Sequence, residues 1–307
     1  MGAAGNGRAG IIVGGSGAVN SKCVSRDAEG LSEVVAPVPR RYTARHRSDE
    51  DRAMLSSIDI NCDMGESFGN WQMGNDAGMM PLITTANVAC GFHAGDPVTL
   101  LSTCKLAGQH GVVVGSHPGL PDLLGFGRRA MNITPEDAYA YVVYQTGALQ
   151  AALRAHGMKL HHIKPHGAFY SVLRTSEALA EAVAEAIVAI ADQPMLYWPA
   201  PTHAAMPVAA RKLGIRVVGE IYPDLTYAPD GSLVLQRAKH VTDTEFAAAQ
   251  VKRYVETGKV LANDGSLLAL DAESLCIHGD GPNATEVGDA VRAALAEVGC
   301  KIAPVMA

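Results

Sequence analysis

From Ser57 onward, short β-branched and apolar runs alternate with longer stretches whose apolar positions recur at helical spacing. Seven of the short runs read as strands: Ser57–Asp63, Thr84–Cys90, Val112–His117, Leu160–His166, Met195–Pro199, Ile215–Ile221 and Ser274–His278. The stretches between them carry helix start and stop signals. Asp96 caps a helix with Pro97 at its first position, and that helix ends near Gly111. Thr134-Pro135-Glu136-Asp137 opens a second, which stops at Gly157 and carries Leu149, Ala152, Leu153 and His156 on one face. Ser176 and Glu177 open an Ala-rich helix to Ala191, Thr202 precedes one ending at Gly214, and Thr242–Glu245 opens one ending at Gly258. The last runs from about Asn283 to Gly299.

Alternating strands and helices imply parallel pairing with right-handed crossovers. Seven strands fit either an open doubly wound sheet or a closed barrel. No G-x-G-x-x-G follows the first strand and no G-x-x-x-x-G-K-[ST] occurs, so a nucleotide-binding open sheet loses its main support. A single parallel (β/α)7 barrel of TIM type over residues 57–307 remains, a span close to the usual size of one such barrel. Residues 1–56 differ. They begin with Gly and Ala punctuation, pass Pro37 and Pro39 into the charged run Arg40–Arg52, and hold no period, which predicts a disordered extension. A transit peptide is the rival reading, opposed by Asp27, Glu29 and Glu33.

Composition narrows the function classes. Hydrophobic residues make up 48% and charged residues 18%, which supports a large core, while only 5% aromatics leaves that core to Ala, Val, Leu and Ile. The net charge of −6 divides unevenly: eight Lys/Arg and six Asp/Glu give +2 over residues 1–57, leaving −8 on the rest. That balance argues against nucleic acid or an anionic membrane as partner, and no apolar run reaches the ~18 residues needed to span a bilayer. The six cysteines are Cys23, Cys62, Cys90, Cys104, Cys276 and Cys300. They form no C-x-x-C, and Cys62, Cys90 and Cys276 lie in apolar strand runs, as expected for reduced thiols in a cytoplasmic protein.

Polar residues capable of chemistry gather just past the predicted strands: Asp63 and Glu66, His93 and Asp96, His117, Lys164 and His166, Glu220 to Asp224, and His278 with Asp280. In a parallel barrel these ends share one mouth, where such folds place their chemistry. His162, Lys164 and His166 share a face by the two-residue period, and His161 points the other way. One carboxylate with several imidazoles suits a divalent cation such as Zn²⁺, Mn²⁺ or Ni²⁺, drawing on His93, His117, His166 and Asp63. Without a metal, Asp63 or Glu66 activates water and a histidine or Lys164 stabilises the oxyanion. Both routes end in attack of water on a carbonyl. Neither H-E-x-x-H nor G-x-S-x-G occurs, so zincin proteases and serine hydrolases are unsupported.

The stretches Ile60–Gly69, Thr85–Pro97, Ser116–Asp122 with Gly125–Arg129, Ile163–Tyr170, Glu220–Tyr227 and Cys276–Asp280 closely resemble the LamB/YcsF family, that of the 5-oxoprolinase A subunits. The likeness is collinear over about residues 57–303. It implies a (β/α)7 barrel similar to the polysaccharide-deacetylase group. It also implies ATP-dependent opening of 5-oxoproline to glutamate by a complex whose partner subunits supply the ATP-dependent activation, while this chain acts on the lactam. On that picture Asp63, Glu66 and Lys164 are catalytic, and His93, His117 and His166 hold a metal or serve as oxyanion donors. Asp96, Arg128, His278 and Asp280 contact substrate, with Arg128, Arg129 or Lys164 pairing its carboxylate. Two other readings stand beside it: a stand-alone metal-dependent amide or carbohydrate deacetylase, and a non-catalytic lactam-binding subunit. Asp280-Gly281-Pro282 and the segment Asp192–Pro207 depart from the family pattern.

Overall fold

A computed structural model describes residues 55–193, 195–234 and 240–306. The expected disorder of residues 1–56 and the position of Cys23 lie outside them, apart from Leu55 and Ser56. These two join the barrel, Leu55 N–H donating to Val255 O (3.2 Å) and Ser56 O accepting from Lys301 N–H (3.0 Å).

Seven strands pair in chain order, all parallel: β1 (Ser57–Met64), β2 (Thr85–Ala89), β3 (Val113–His117), β4 (Leu160–Ile163), β5 (Met195–Pro199), β6 (Arg216–Ile221) and β7 (Ser274–Cys276). β7 pairs back onto β1, with Asp59 beside Ser274 and Asn61 beside Cys276, and the barrel closes. A short β8 (Lys301–Ile302) adds to the start of β1. The helices are α1 (Pro97–His110), α2 (Pro135–Ala155), α3 (Gly167–Thr175), α4 (Glu177–Ile190), α5 (Ala205–Lys212), α6 (Thr244–Thr257) and α7 (Ala284–Glu297). Asp96 caps α1, and Thr134 forms a capping box with Asp137 at α2. No helix among the described residues is long and apolar enough to cross a membrane.

The strand alternation sorts the two faces. Ile58, Ile60, Cys62 and Met64 of β1 are buried in the apolar layer with α1, α6 and α7, while Leu196 and Trp198 of β5 pack in a second layer with α2 to α5. Asp59, Asn61 and Asp63 of β1 turn into the lumen and meet polar side chains from other strands. Met195 and Tyr197 of β5, Val218 of β6 and the tail residue Val305 form a third, small apolar cluster. Cys62, Cys90, Cys104, Cys276 and Cys300 are all free and buried, as expected.

Four details differ from the sequence reading. β4 ends at Ile163 and β7 at Cys276, earlier than expected. Pro165 has no N–H for the ladder, yet Lys164 N–H to Ser116 O (2.8 Å) and His166 N–H to Pro118 O (2.9 Å) hold the segment against β3 and its continuation. Helix α3 was not expected, because it starts at Gly167 with no side-chain cap. α5 begins at Ala205, after a loop in which Thr202 accepts from Arg211 rather than capping. A bulge between β3 and β4 places three β4 residues opposite two, so the rings of His161 and His162 face one another at 5.3 Å and both approach Tyr197.

Candidate active site

Two glycines make the site's geometry possible. Gly95 has φ +78°, and a Cβ there would stand 2.8 Å from Gly65 O and 2.9 Å from Ala89 O, so the turn carrying His93 closes over β1 only with glycine. Gly115 faces the His162 ring, where a Cβ would come within 2.1 Å.

At the floor, Lys164 Nζ lies 3.2 Å from Asp63 Oδ1, Glu220 Oε2 and Asn61 Oδ1, and 3.1 Å from Cys276 Sγ. Burial opposes its charge, but Asp63, Cys276 and Glu220 outweigh burial and hold the ammonium well above its ordinary pKa. Asp63 behaves in the mirror sense. Burial would raise it, yet positive charge at His117 and Lys164 keeps the carboxyl well below the usual carboxylate range. The two groups therefore form an ion pair at neutral pH, and Lys164 cannot serve as a base. Its three N–H bonds go to Asn61 Oδ1, Asp63 Oδ1 and Cys276 Sγ, with Glu220 paired by charge, so it acts through charge and position.

Above the floor stand three buried histidines and Glu66. His117 Nδ1 donates to Lys164 O (2.7 Å) and His166 Nε2 donates to Phe126 O (2.8 Å). With both outer nitrogens protonated, the inner ones, His117 Nε2 and His166 Nδ1, face each other at 2.9 Å as two lone pairs unless a proton or a cation joins them. His93 stacks on His166 with ring centroids 3.8 Å apart, and its Nε2 lies 3.6 Å from Glu66 Oε1. Both His93 nitrogens and Glu66 Oε1 are buried without a hydrogen-bond partner among the described residues. One atom from each of Glu66, His93, His117 and His166 falls within 4.8 Å of the others. Outer N–H groups fixed by backbone carbonyls, with inner nitrogens converging on a carboxylate, are what a divalent cation asks of its ligands. Burial holds His93 well below its ordinary pKa and His166 down at about 3, and neighbouring histidines add to this in both. Burial, then the charges of Asp63 and Asp280, raises Glu66 well above its ordinary value. Phe126 sits at φ +53°, a left-handed backbone that bulky side chains avoid, and its loop presents its carbonyl to His166.

Asp63, Cys276 and His278 also approach one another closely enough for a cation. Lys164 Nζ already pairs with Asp63 at 3.2 Å and donates to Cys276 Sγ at 3.1 Å, and burial pushes the Cys276 thiol up, so that place is taken.

The remaining expected residues separate. His278 lines the cavity, its Nδ1 2.9 Å from Asp224 Oδ2 and its ring stacked on Tyr222. Arg128 lines the cavity with its guanidinium 5.1 Å from the centre of the Phe126 ring. Arg129 turns away to pair with Asp122. Asp96 is occupied as a cap: Oδ1 accepts from Val98 and Thr99 N–H, and Oδ2 from Gly69 N–H and the Thr99 hydroxyl. Asp280 acts on the site through its charge on Glu66. The cavity measures about 820 Å³ and opens from Asp63, His117 and Lys164 outward past Trp198 and Arg174.

Asn61, Asn87 and Ser274 also belong to the site's buried polar network but were not among the expected site residues, and His162, Glu220 and Tyr222, which the strand pattern sets at or facing the mouth, join the same network. One signal could have found several of them: Asp59, Asn61 and Asp63 on β1 and Thr85 with Asn87 on β2 fall at alternate positions in otherwise apolar strands.

The model of the LamB/YcsF family matches residues 58–307. A 5-oxoprolinase A subunit from Brevibacillus brevis is 46% identical over 251 residues, 81% of this chain and 98% of that one. Its namesake from Bordetella pertussis is 47% identical over 251 residues, covering 81% and 99%. The crystal structure of the lactam utilization protein from Thermus thermophilus superposes with a TM-score of 0.75 at 45% identity, over 81% of this chain and all of that one.

Proposed function

The chain belongs to the LamB/YcsF family, and from that premise we propose that it opens the lactam ring of 5-oxoproline, or of a close relative, as the lactam-acting member of an ATP-dependent complex. The observation that carries the reading is the Asp63–Lys164 ion pair at the floor of the cavity, set against the inward-facing atoms of Glu66, His93, His117 and His166. The relatives' shared name supports lactam as the substrate class and partner subunits as company.

Glu66, His93, His117 and His166 would hold a divalent cation, which would supply Lewis acidity toward a carbonyl. Asp63 orients the attacking water through Oδ2, because Oδ1 already accepts from Asn87 and Lys164. Held so far below its usual range, Asp63 is a firm acceptor but a weak base, which suits an amide activated beforehand by a partner's ATP chemistry. Arg128 pairs with the substrate carboxylate. His278, its Nδ1 engaged by Asp224, uses Nε2 to pass a proton to the departing ring nitrogen. Water adds to the carbonyl carbon, the ring C–N bond breaks, and the freed nitrogen takes a proton, giving the open-chain amino acid.

The test is conversion of 5-oxoproline to glutamate with ATP, with and without partner subunits. Turnover that needs both ATP and partners supports the proposal. Stoichiometric metal with ATP-independent deacetylation by the lone chain would replace it with the deacetylase reading. Full activity of Asp63→Asn in the complex would favour a non-catalytic, lactam-binding role.

A further inference from the structure

Asp59 lies one inward position below Asn61 and four residues before Asp63, fully buried near the N-terminal end of β1. Its Oδ1 accepts from the Thr84 and Thr85 hydroxyls at 2.6 and 2.7 Å, and its Oδ2 accepts from the Ser274 and Tyr197 hydroxyls at 2.6 and 3.1 Å. We propose that Asp59 is a positioning residue that fixes the direction of a hydrogen-bond chain ending on Asp63, and so holds the Asp63 carboxylate in the plane that gathers two donors on one oxygen and turns the other to the substrate. This role rests on Asp63 being the water-orienting carboxylate of the proposed function.

Burial raises the Asp59 pKa, while the hydroxyls of Ser274, Thr84, Thr85 and Tyr197 gathered on its two oxygens favour the ionised form, which has only acceptor sites, so their hydrogens point toward it. Ser274 owns a single hydroxyl hydrogen and directs it there. Toward Asn61 it can then only accept, and Asn61 must present its amide nitrogen, which lies 2.7 Å from Ser274 Oγ. The second amide hydrogen of Asn61 goes to Glu220 Oε2 (3.1 Å). Asn61 Oδ1 is thereby turned to Lys164 Nζ (3.2 Å) and Asn87 Nδ2 (2.8 Å). Asn87 in turn donates to Asp63 Oδ1 at 2.8 Å, while its own oxygen accepts from His162 Nε2 at 2.6 Å. Each link leaves the next one a single orientation. The last link fills Asp63 Oδ1 with two donors and leaves Oδ2, 3.4 Å from His117 Nε2, for the cavity.

Asp59→Asn keeps the shape but replaces one acceptor oxygen by an amide that needs acceptors. If Ser274 reverses to satisfy it, the Asn61 amide must turn over, and its NH₂ then confronts the Lys164 ammonium and the Asn87 NH₂. The expected result in the reconstituted complex is a tenfold to hundredfold fall in kcat for 5-oxoproline, with KM within twofold of wild type. Ser274→Ala cuts the same chain and gives a similar fall, and Ser274→Thr, which keeps the hydroxyl, recovers most of it. The double variant Asp59→Asn/Ser274→Ala falls no further than the worse single variant. Wild-type kcat in Asp59→Asn with only a lower melting temperature, or additive losses in the double variant, would overturn the proposal. If Asp59→Asn does not fold, the contrast between Ser274→Ala and Ser274→Thr decides the matter alone. A second readout needs no turnover. In ¹⁵N-asparagine-labelled protein, the side-chain amide signals of Asn61 and Asn87 should move in Ser274→Ala and stay near their positions in Ser274→Thr. Unmoved signals in Ser274→Ala reject the chain of orientation whatever the substrate. Absence of lactam turnover in wild type, with the amide shifts present, rejects the proposed function and leaves the chain standing.

Discussion

The two faces of the barrel wall are built from the same strands on different principles. On β1 the outward residues Ile58, Ile60, Cys62 and Met64 are apolar and held by shape, while the inward residues Asp59, Asn61 and Asp63 are held by hydrogen bonds with fixed direction. Apolar packing tolerates exchange of one hydrocarbon for another of like volume. A directed polar chain does not, since each donor needs a particular acceptor and a buried mismatch costs about 1–3 kcal/mol. Substitutions on the outer face are therefore expected to tell mainly on stability, and those on the inner face mainly on the proposed activity.

The sharpest way to break that division is Asp63→Asn. Its expected effect is a loss of about a hundredfold to a thousandfold in kcat, measured as glutamate formed by the reconstituted complex, with the fold retained. An equally large loss of melting stability would show that the inner face also carries the fold. Ile60→Ala is the reciprocal experiment on the outer face. It should cost about 2–5 kcal/mol in a denaturant titration and leave kcat per folded molecule unchanged.

A pH titration sharpens the comparison further. In metal-free protein His93, His162 and His166 are buried and held below their ordinary pKa, chiefly by burial. The unfolded chain then binds more protons than the folded one, so stability declines as pH falls through about 6.5, by up to about 1.4 kcal/mol per pH unit for each group. For His166 the decline continues down to about 3. Added Zn²⁺ should raise stability most near pH 7 and progressively less toward pH 5, because its ligands must shed their protons to bind, and a melting curve indifferent to both acid and metal would contradict the ligand assignment. The smallest expected effect is that of Asp96→Ala, about 1 kcal/mol of stability from a lost cap with KM for 5-oxoproline unchanged. A raised KM would return Asp96 to the substrate contacts that the family resemblance implies.

The sequence was legible where chemistry follows an apolar run. Asp63, His117 and His166 stand out because each ends a strand or lies just past one, and parallel pairing gathers strand ends without help from any further detail. The inner network was not legible, since Asn61, Asn87 and Ser274 are unremarkable one at a time and acquire meaning only from neighbours on other strands, 26 residues away for Asn87 and 213 for Ser274. Helix α3 escaped notice because nothing caps it, and the bulge in β4 defeated a strict two-residue count at His161. Asp96 drew two readings, cap and substrate contact; three of its four hydrogen bonds belong to the cap and the fourth comes from Gly69 N–H in the loop after β1.

The tail that runs under the barrel has a bearing on how its strands are held together. Ala303 N–H donates to Ile58 O, His161 donates to Val305 O, and Val305 packs against Met195, Tyr197 and Val218. These contacts tie the tail to the N-terminal parts of β1, β4, β5 and β6. The tail thus works as a clasp across four of the seven strands, and its loss would loosen them together.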